Sequence, residues 1–456
     1  MENTLEKKYG LLTAIALVVG IVIGSGVFFK AEKILVATGG DLSQGILAWL
    51  IGGSIMIICA YVFATLATQY EKVNGVVDYA EGAVGSKYAY YVGWFMATIY
   101  TPAITAVLAW VSARYTCVLL GWDIVGPEAM TLSGFYLVGS YALNSLSPKL
   151  AGKFQVSTTV IKLIPLILMA IFGTISGLRS GILIENFTSG VIADVSTSHP
   201  LFTAVVAAAF AYEGWIIATS INAELRDAKR NLPRALTFGT MFVALIYILY
   251  YTGLAGAVEN AIIMQGEETG ARIAFTRVFS SIGGTALFVF VVISCLGTLN
   301  GLMMGCTRGF YALAARGLGP KPEIFKNIDQ STNMPTNSAI LGLLVSGGWL
   351  AYFYGANLAP GQWFGNFSFD SSELPIVTIY AMYIPIFIMM IKKEITLNPF
   401  KRFVMPILAI IACIFMIFAA WYAHGISVIY YLVIFVVIML LGELFYKKGQ
   451  RNRRVH

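Results

Sequence analysis

The chain has 456 residues, 58% of them hydrophobic and only 12% charged, with a mean hydropathy of +0.77. An ordinary soluble domain is about 25% charged, so this composition excludes a soluble enzyme. A formal charge of +7 would suit nucleic acid, but the basic residues sit in short loops and at the ends of apolar runs, which excludes that partner too.

A membrane-crossing helix needs about 20 mostly apolar residues. Twelve such runs are predicted, six in the first half (11–29, 46–68, 89–120, 134–146, 156–178, 201–224) and six in the second (235–258, 285–314, 338–354, 374–391, 403–423, 428–445). Residues 164–175 are apolar on every side, unlike the alternating strands of a membrane β-barrel. The N-terminal residues run straight into an apolar stretch with no small-residue cleavage site, which predicts a first span and not a signal peptide. Cys59, Cys117, Cys295, Cys306 and Cys413 all lie inside apolar runs, without the spacing of a metal site or a disulfide framework. They are read as core thiols.

Twelve spans place both termini on one side. Basic residues are retained in the cytoplasm during insertion. With the termini cytoplasmic, 23 Lys and Arg fall inside and five (Lys30, Lys33, Arg179, Arg272, Arg277) outside, so the net charge is topological. Two more, Arg114 and Lys162, lie within spans.

Charges inside a bilayer are costly, about 2.5–3.5 kcal/mol on insertion scales, so each retained one is a functional candidate. Arg114 is near the outer end of span three, where its long side chain reaches the interface. Lys162 is nine residues beyond Lys153, near which span five begins, and so roughly 14 Å deep at the helical rise. It is either a fixed cation between helices or a lysine neutralised by burial. Glu213, in FAYEGW, lies near the middle of span six. Structural pairing and contact with substrate or proton are both open to it.

Two spans carry a helix-breaking signal at comparable depth: Gly24-Ser25-Gly26 in span one and Glu213-Gly214 in span six. Glycine weakens a helix and leaves its backbone reachable. Interrupted spans at matching positions of two halves point to a transporter binding site, and a separation of five spans suits an inverted repeat. Small residues also serve helix packing, as in Gly20 and Gly24, and the ridge Gly297, Gly301, Gly305 and Gly309 of span eight is assigned to packing. On that span Ser294 and Thr298 share a face and either receive an ammonium or bond within their own helix. His199, His424 and His456 are placed in loops or the tail, and no nucleotide, metal or hydrolase motif is present, so neither cofactor nor metal is expected.

At GLLTAIALVVGIVIGSGVF, FAYEGW with AELRDAKRNLPRAL, and SCLGTLNGLMMGCTRGFYALAARG, the chain resembles the amino acid/polyamine/organocation (APC) superfamily, and within it the L-amino-acid transporter-like branch. The resemblance covers essentially the whole chain. It implies an all-α membrane protein of the LeuT type, one domain over 1–456. Residues 11–178 and 200–392 are inverted repeats of five spans, broken at spans one and six, with peripheral spans eleven and twelve in 399–446. It implies an amino acid whose carboxylate meets backbone amides around Ile23, Gly24, Ser25 and Gly26. The ammonium would meet carbonyls around Phe210, Ala211, Glu213 and Gly214, with Phe210 as an aromatic gate. Lys162, facing Ser294 and Thr298, resembles a built-in replacement for a sodium ion, which implies sodium-independent transport.

Two departures stand out. Glu213 replaces the glycine or apolar residue of FAYGGW-like patterns, and favours cationic substrates or a proton step. Asp227-Ala replaces Asn-Pro in the inner-loop motif from Glu224 to Pro233, which loosens the transfer of an inner-gate role to Glu224 and Arg230. The loop 121–131 has no cysteine, so no disulfide-linked accessory subunit is expected. The expectation is a stand-alone amino acid exchanger or proton-coupled permease in the bacterial cytoplasmic membrane. A cationic amino acid or polyamine carrier of the same fold is the alternative. A non-transporting nutrient sensor is disfavoured by tails of about ten residues, and a channel by the lack of a ring of charges.

Overall fold

The computed structural model describes residues 10–70, 75–192, 199–216, 225–266, 268–332 and 334–455. Among these the chain is helical throughout, with one isolated bridge, Asp329 to Met334, and no strand. The principal helices are α1 (Leu11–Val22), α2 (Gly26–Ala37), α3 (Leu42–Gln69), α4 (Ser86–Leu120), α5 (Pro127–Leu146), α6 (Lys149–Ser180) and α7 (Pro200–Ala211). They continue with α8 (Ala228–Ala257), α9 (Glu268–Ala314), α10 (Thr336–Leu358), α11 (Leu374–Lys393), α12 (Phe400–His424) and α13 (Ser427–Val455).

Nine helices among the described residues, α3, α4, α6 and α8 to α13, are long and apolar enough to cross a membrane. The other three predicted runs fall short for separate reasons. The first is divided between α1 and α2, of 12 residues each. The fourth, α5, has 20 residues but is diluted by Glu128, Thr131, Ser133, Ser140, Asn144 and Ser145. The sixth, α7, stops after 12 residues. The predicted start of span eight at residue 285 has a counterpart inside α9: Ser280, at φ 65, kinks the helix, and the preceding turns fold back so that Gly284 meets Thr276.

Bare glycine faces let the backbones close. α6 and α8 meet at Gly173, Gly177, Gly253 and Gly256, and a Cβ on Gly253 would lie 2.2 Å from the Met169 carbonyl oxygen. The glycine ridge of α9 serves two neighbours in turn. Gly297 and Gly301 face Thr158 and Gln155 of α6, while Gly305 and Gly309 face Thr101 and Ala97 of α4. The core runs through α1 to α4, α7 to α9, α11 and the inner face of α12. α13 stands at the other extreme, with only 11% of its most apolar stretch buried.

Candidate substrate-binding site

The break between α1 and α2 comes from the backbone of three residues. Ile23 turns to an extended conformation (ψ 110) while its N–H still bonds to the Val19 carbonyl, and Ser25 stands just ahead of α2 without a side-chain capping bond. α7 ends in a tight turn in which Gly214 takes φ 101, a value that strongly favours glycine. The two ends touch: a Cβ on Gly26 would lie 2.5 Å from the Ala211 Cα, and one on Gly24 2.6 Å from Thr298 Oγ1. The amide-rich start of α2, which is electropositive, therefore adjoins the carbonyl-rich end of α7, which is electronegative.

A cavity of about 230 Å³ opens beside these ends. Of the residues singled out in the sequence, Gly24, Ser25, Gly26, Phe210, Ala211, Glu213, Gly214 and Thr298 line it; Ile23, Lys162 and Ser294 do not. Gln155, which no motif marks, and Tyr100, an aromatic that by sequence suits packing and pocket equally, also line the cavity. Tyr100 closes a π-helical turn, Met96–Tyr100, that interrupts the regular α4, and its hydroxyl donates a short hydrogen bond to Glu213 Oε1. Glu213 Oε2 and Ser25 Oγ are buried without a hydrogen-bond partner. The remaining wall, including Val22, Ile104, Leu108 and Leu302, is apolar. One carboxylate with a spare oxygen, one spare hydroxyl and two opposed helix ends can hold a small zwitterion, with the apolar wall left for its side chain.

Lys162 is fully buried, and its Nζ donates to the Gly20 carbonyl of α1 at 3.2 Å. Thr298 Oγ1 donates to the Ser294 carbonyl within its own helix, at 3.0 Å, and Ser294 Oγ is buried without a partner. Arg114 is also buried, its guanidinium 4.7 Å from the Trp110 ring centre. Glu224 lies outside the described residues, and Arg230 is exposed.

Across Phe210 from the cavity lies an ion cluster. Lys30 Nζ is 2.6 Å from Glu373 Oε1 and 4.9 Å from the centre of the Phe210 ring. The second oxygen, Glu373 Oε2, is 3.0 Å from His424 Nε2 at the end of α12. Sequence reasoning put Lys30 in an outer loop and His424 in another, whereas Lys30 is 3% and Glu373 7% exposed. α2 continues eight residues past the predicted end of the first span, to Ala37, and carries Lys30 into the bundle with it. Gln155, Gly301, Leu302 and Met304, on the opposite side of the cavity, lie on the halves of α6 and α9 that lead to basic loops.

Residues 9–442 match the profile of the amino acid permease family. The chain is similar to the serine/threonine exchanger SteT of Bacillus subtilis, 30% identical over 429 residues that make up 91% of each chain. It is also similar to the mouse b(0,+)-type amino acid transporter 1, at 24% identity over 97% of this chain and 88% of the relative. The human cystine/glutamate transporter matches at 24% identity over 74% of this chain and 66% of the relative.

Proposed function

The chain belongs to the amino acid permease family, and from that premise we propose that it is a sodium-independent, alternating-access carrier of amino acids. It works by exchange or by proton-coupled uptake. The proposed arrangement is of the LeuT type, with twelve spans in a bacterial cytoplasmic membrane, both termini cytoplasmic, and inverted repeats over 11–178 and 200–392. Spans one and six are broken, 399–446 is peripheral, and no accessory subunit is attached.

The observation that carries this reading is the meeting of the α2 start and the α7 end at one cavity that also holds Glu213 and Ser25. The substrate carboxylate takes the amides of Gly24, Ser25 and Gly26, and its ammonium takes the carbonyls at Phe210 and Ala211 together with Glu213. Phe210 covers the bound molecule. Lys162 holds a fixed positive charge against α1 beside the break, which supports transport without sodium. Rocking of α1 against α9 would carry Lys162 between Gly20 and Ser294. Likeness to a serine/threonine exchanger supports exchange of neutral amino acids.

A second reading rests on Glu213, the one ionisable acid among the cavity-lining residues. It binds a second amine, which makes the cargo a cationic amino acid or a polyamine, or it carries a proton. Uptake of labelled amino acids and polyamines into proteoliposomes separates these. The variables are internal amino acid, sodium and a pH gradient. Acceleration by internal amino acid with no response to sodium is the expected result. Accumulation driven only by an inward proton gradient would replace exchange with proton symport through Glu213, and strict sodium dependence would overturn the role of Lys162.

A further inference from the structure

A second cavity shares α4 and α9 with the substrate site but none of its lining residues, and lies where α9 leads into the 315–335 loop beside the C-terminal part of α13. Its volume is about 1030 Å³. Its inner wall is apolar: Phe310 of α9, Leu341 and Val345 of α10, and Phe445 of α13, with Trp94 of α4 at the back. Its rim carries three lysines, Lys321, Lys326 and Lys448, and one acid, Glu323, a net excess of two positive charges. All three lysines are exposed, and none makes an ion pair among the described residues. One face of α13 is fastened to α4 beside the crevice, by Trp94 Nε1 donating to the Ile438 carbonyl at 2.9 Å and the Tyr90 hydroxyl donating to the Gly442 carbonyl at 2.8 Å, while most of its apolar stretch stays uncovered.

An apolar slot between membrane helices, ending in unpaired ammonium groups at the level where those helices end, has the two-part chemistry of a phospholipid with an anionic head group. A soluble anion would use the lysines and leave the apolar wall wet. A zwitterionic lipid would fill the wall and offer its phosphate, but would bring a cation of its own to a rim that already carries excess positive charge. We propose that this crevice is a binding site for one anionic phospholipid of the leaflet facing the basic loops, its phosphate on Lys321, Lys326 and Lys448 and an acyl chain between α10 and α13. The lipid fills the crevice left between α10, α13 and the loop after α9.

Native mass spectrometry of the detergent-purified full chain, delipidated and then titrated with phosphatidylglycerol or phosphatidylcholine, tests this. The expected result is one tightly held phosphatidylglycerol, preferred over phosphatidylcholine by about tenfold or more. The variant Lys321→Gln/Lys326→Gln/Lys448→Gln loses that preference. Lys392→Gln/Lys393→Gln/Lys401→Gln, with the same change of charge at another loop, keeps it. Leu341→Trp fills the slot without touching the charges and lowers the affinity for both lipids. Equal retention by wild type and the Lys321 triple variant would overturn the proposal, as would equal loss in the control triple. So would displacement of the lipid by millimolar glycerol phosphate, which marks an anion site, or a dimer that excludes lipid, which marks a protein interface.

Discussion

Glu213 has one oxygen held by Tyr100 and the other left for whatever enters the cavity. Tyr100→Phe removes the donor and leaves both oxygens unpartnered, at a cost of about 1–3 kcal/mol for a buried polar group. The expected outcome is a lower thermal midpoint and altered substrate affinity in the same variant. Glu213→Gln keeps an acceptor for Tyr100 and removes only the charge. Uptake of cationic substrates should then be lost while uptake of neutral ones survives, and an unchanged cation uptake would rule out the cationic-cargo form of the second reading. Gly24 offers a sharper geometric test, since an added methyl meets Thr298 Oγ1 at 2.6 Å. Gly24→Ala should cost about 1–3 kcal/mol through overpacking. Gly24→Ala/Thr298→Ala should recover much of it, with a coupling of about 0.5–3 kcal/mol in a double-mutant cycle.

At the scale of elements, the α6–α8 contact has no room for any side chain. In Gly253→Ala the obstacle is the Met169 carbonyl, which cannot rotate away as a side chain would. A loss of about 1–3 kcal/mol or more is expected, read as a drop in thermal stability that no repacking variant at Met169 rescues. The glycine ridge of α9 is legible in the sequence, because a glycine every four residues marks one helix face, whereas Gly173, Gly177, Gly253 and Gly256 show as a contact only once α6 and α8 are brought together. The chain interruptions are legible too, since Gly24-Ser25-Gly26 and Glu213-Gly214 are the places where backbone freedom is concentrated. Partners were not legible. Lys30 and Glu373 are 343 residues apart, and nothing local in either segment encodes the other. Lys30 was assigned to the exterior because hydropathy ends a span at the first charge, while the helix that carries it continues to Ala37. The π turn that aims Tyr100 at Glu213 leaves no mark in composition, so by sequence alone Tyr100, like Tyr380 and Tyr383, suits packing and pocket equally.

For the whole molecule, Lys30, Glu373 and His424 tie α2, α11 and α12 together on one side of Phe210, and the cavity extends on the other. Under the proposed alternating access, opening toward the tied side would separate Lys30 from Glu373. Removing one member of a buried pair costs about 3–5 kcal/mol, because the other charge is left stranded. Lys30→Met should therefore lower the thermal midpoint well beyond the effect of a surface lysine change, and Lys30→Met/Glu373→Gln should restore most of the loss. If the single variant is as stable as wild type, the pair contributes nothing to holding that side shut. Its wider consequence concerns retention. A carrier whose closed side is held by a buried ion pair swings back idle only slowly, so it does not drain a cell placed in a medium lacking the amino acid. The neutralised double variant should be a leak: the cell's store of that amino acid should escape down its gradient, even though the protein is intact and the site that recognises the cargo is untouched.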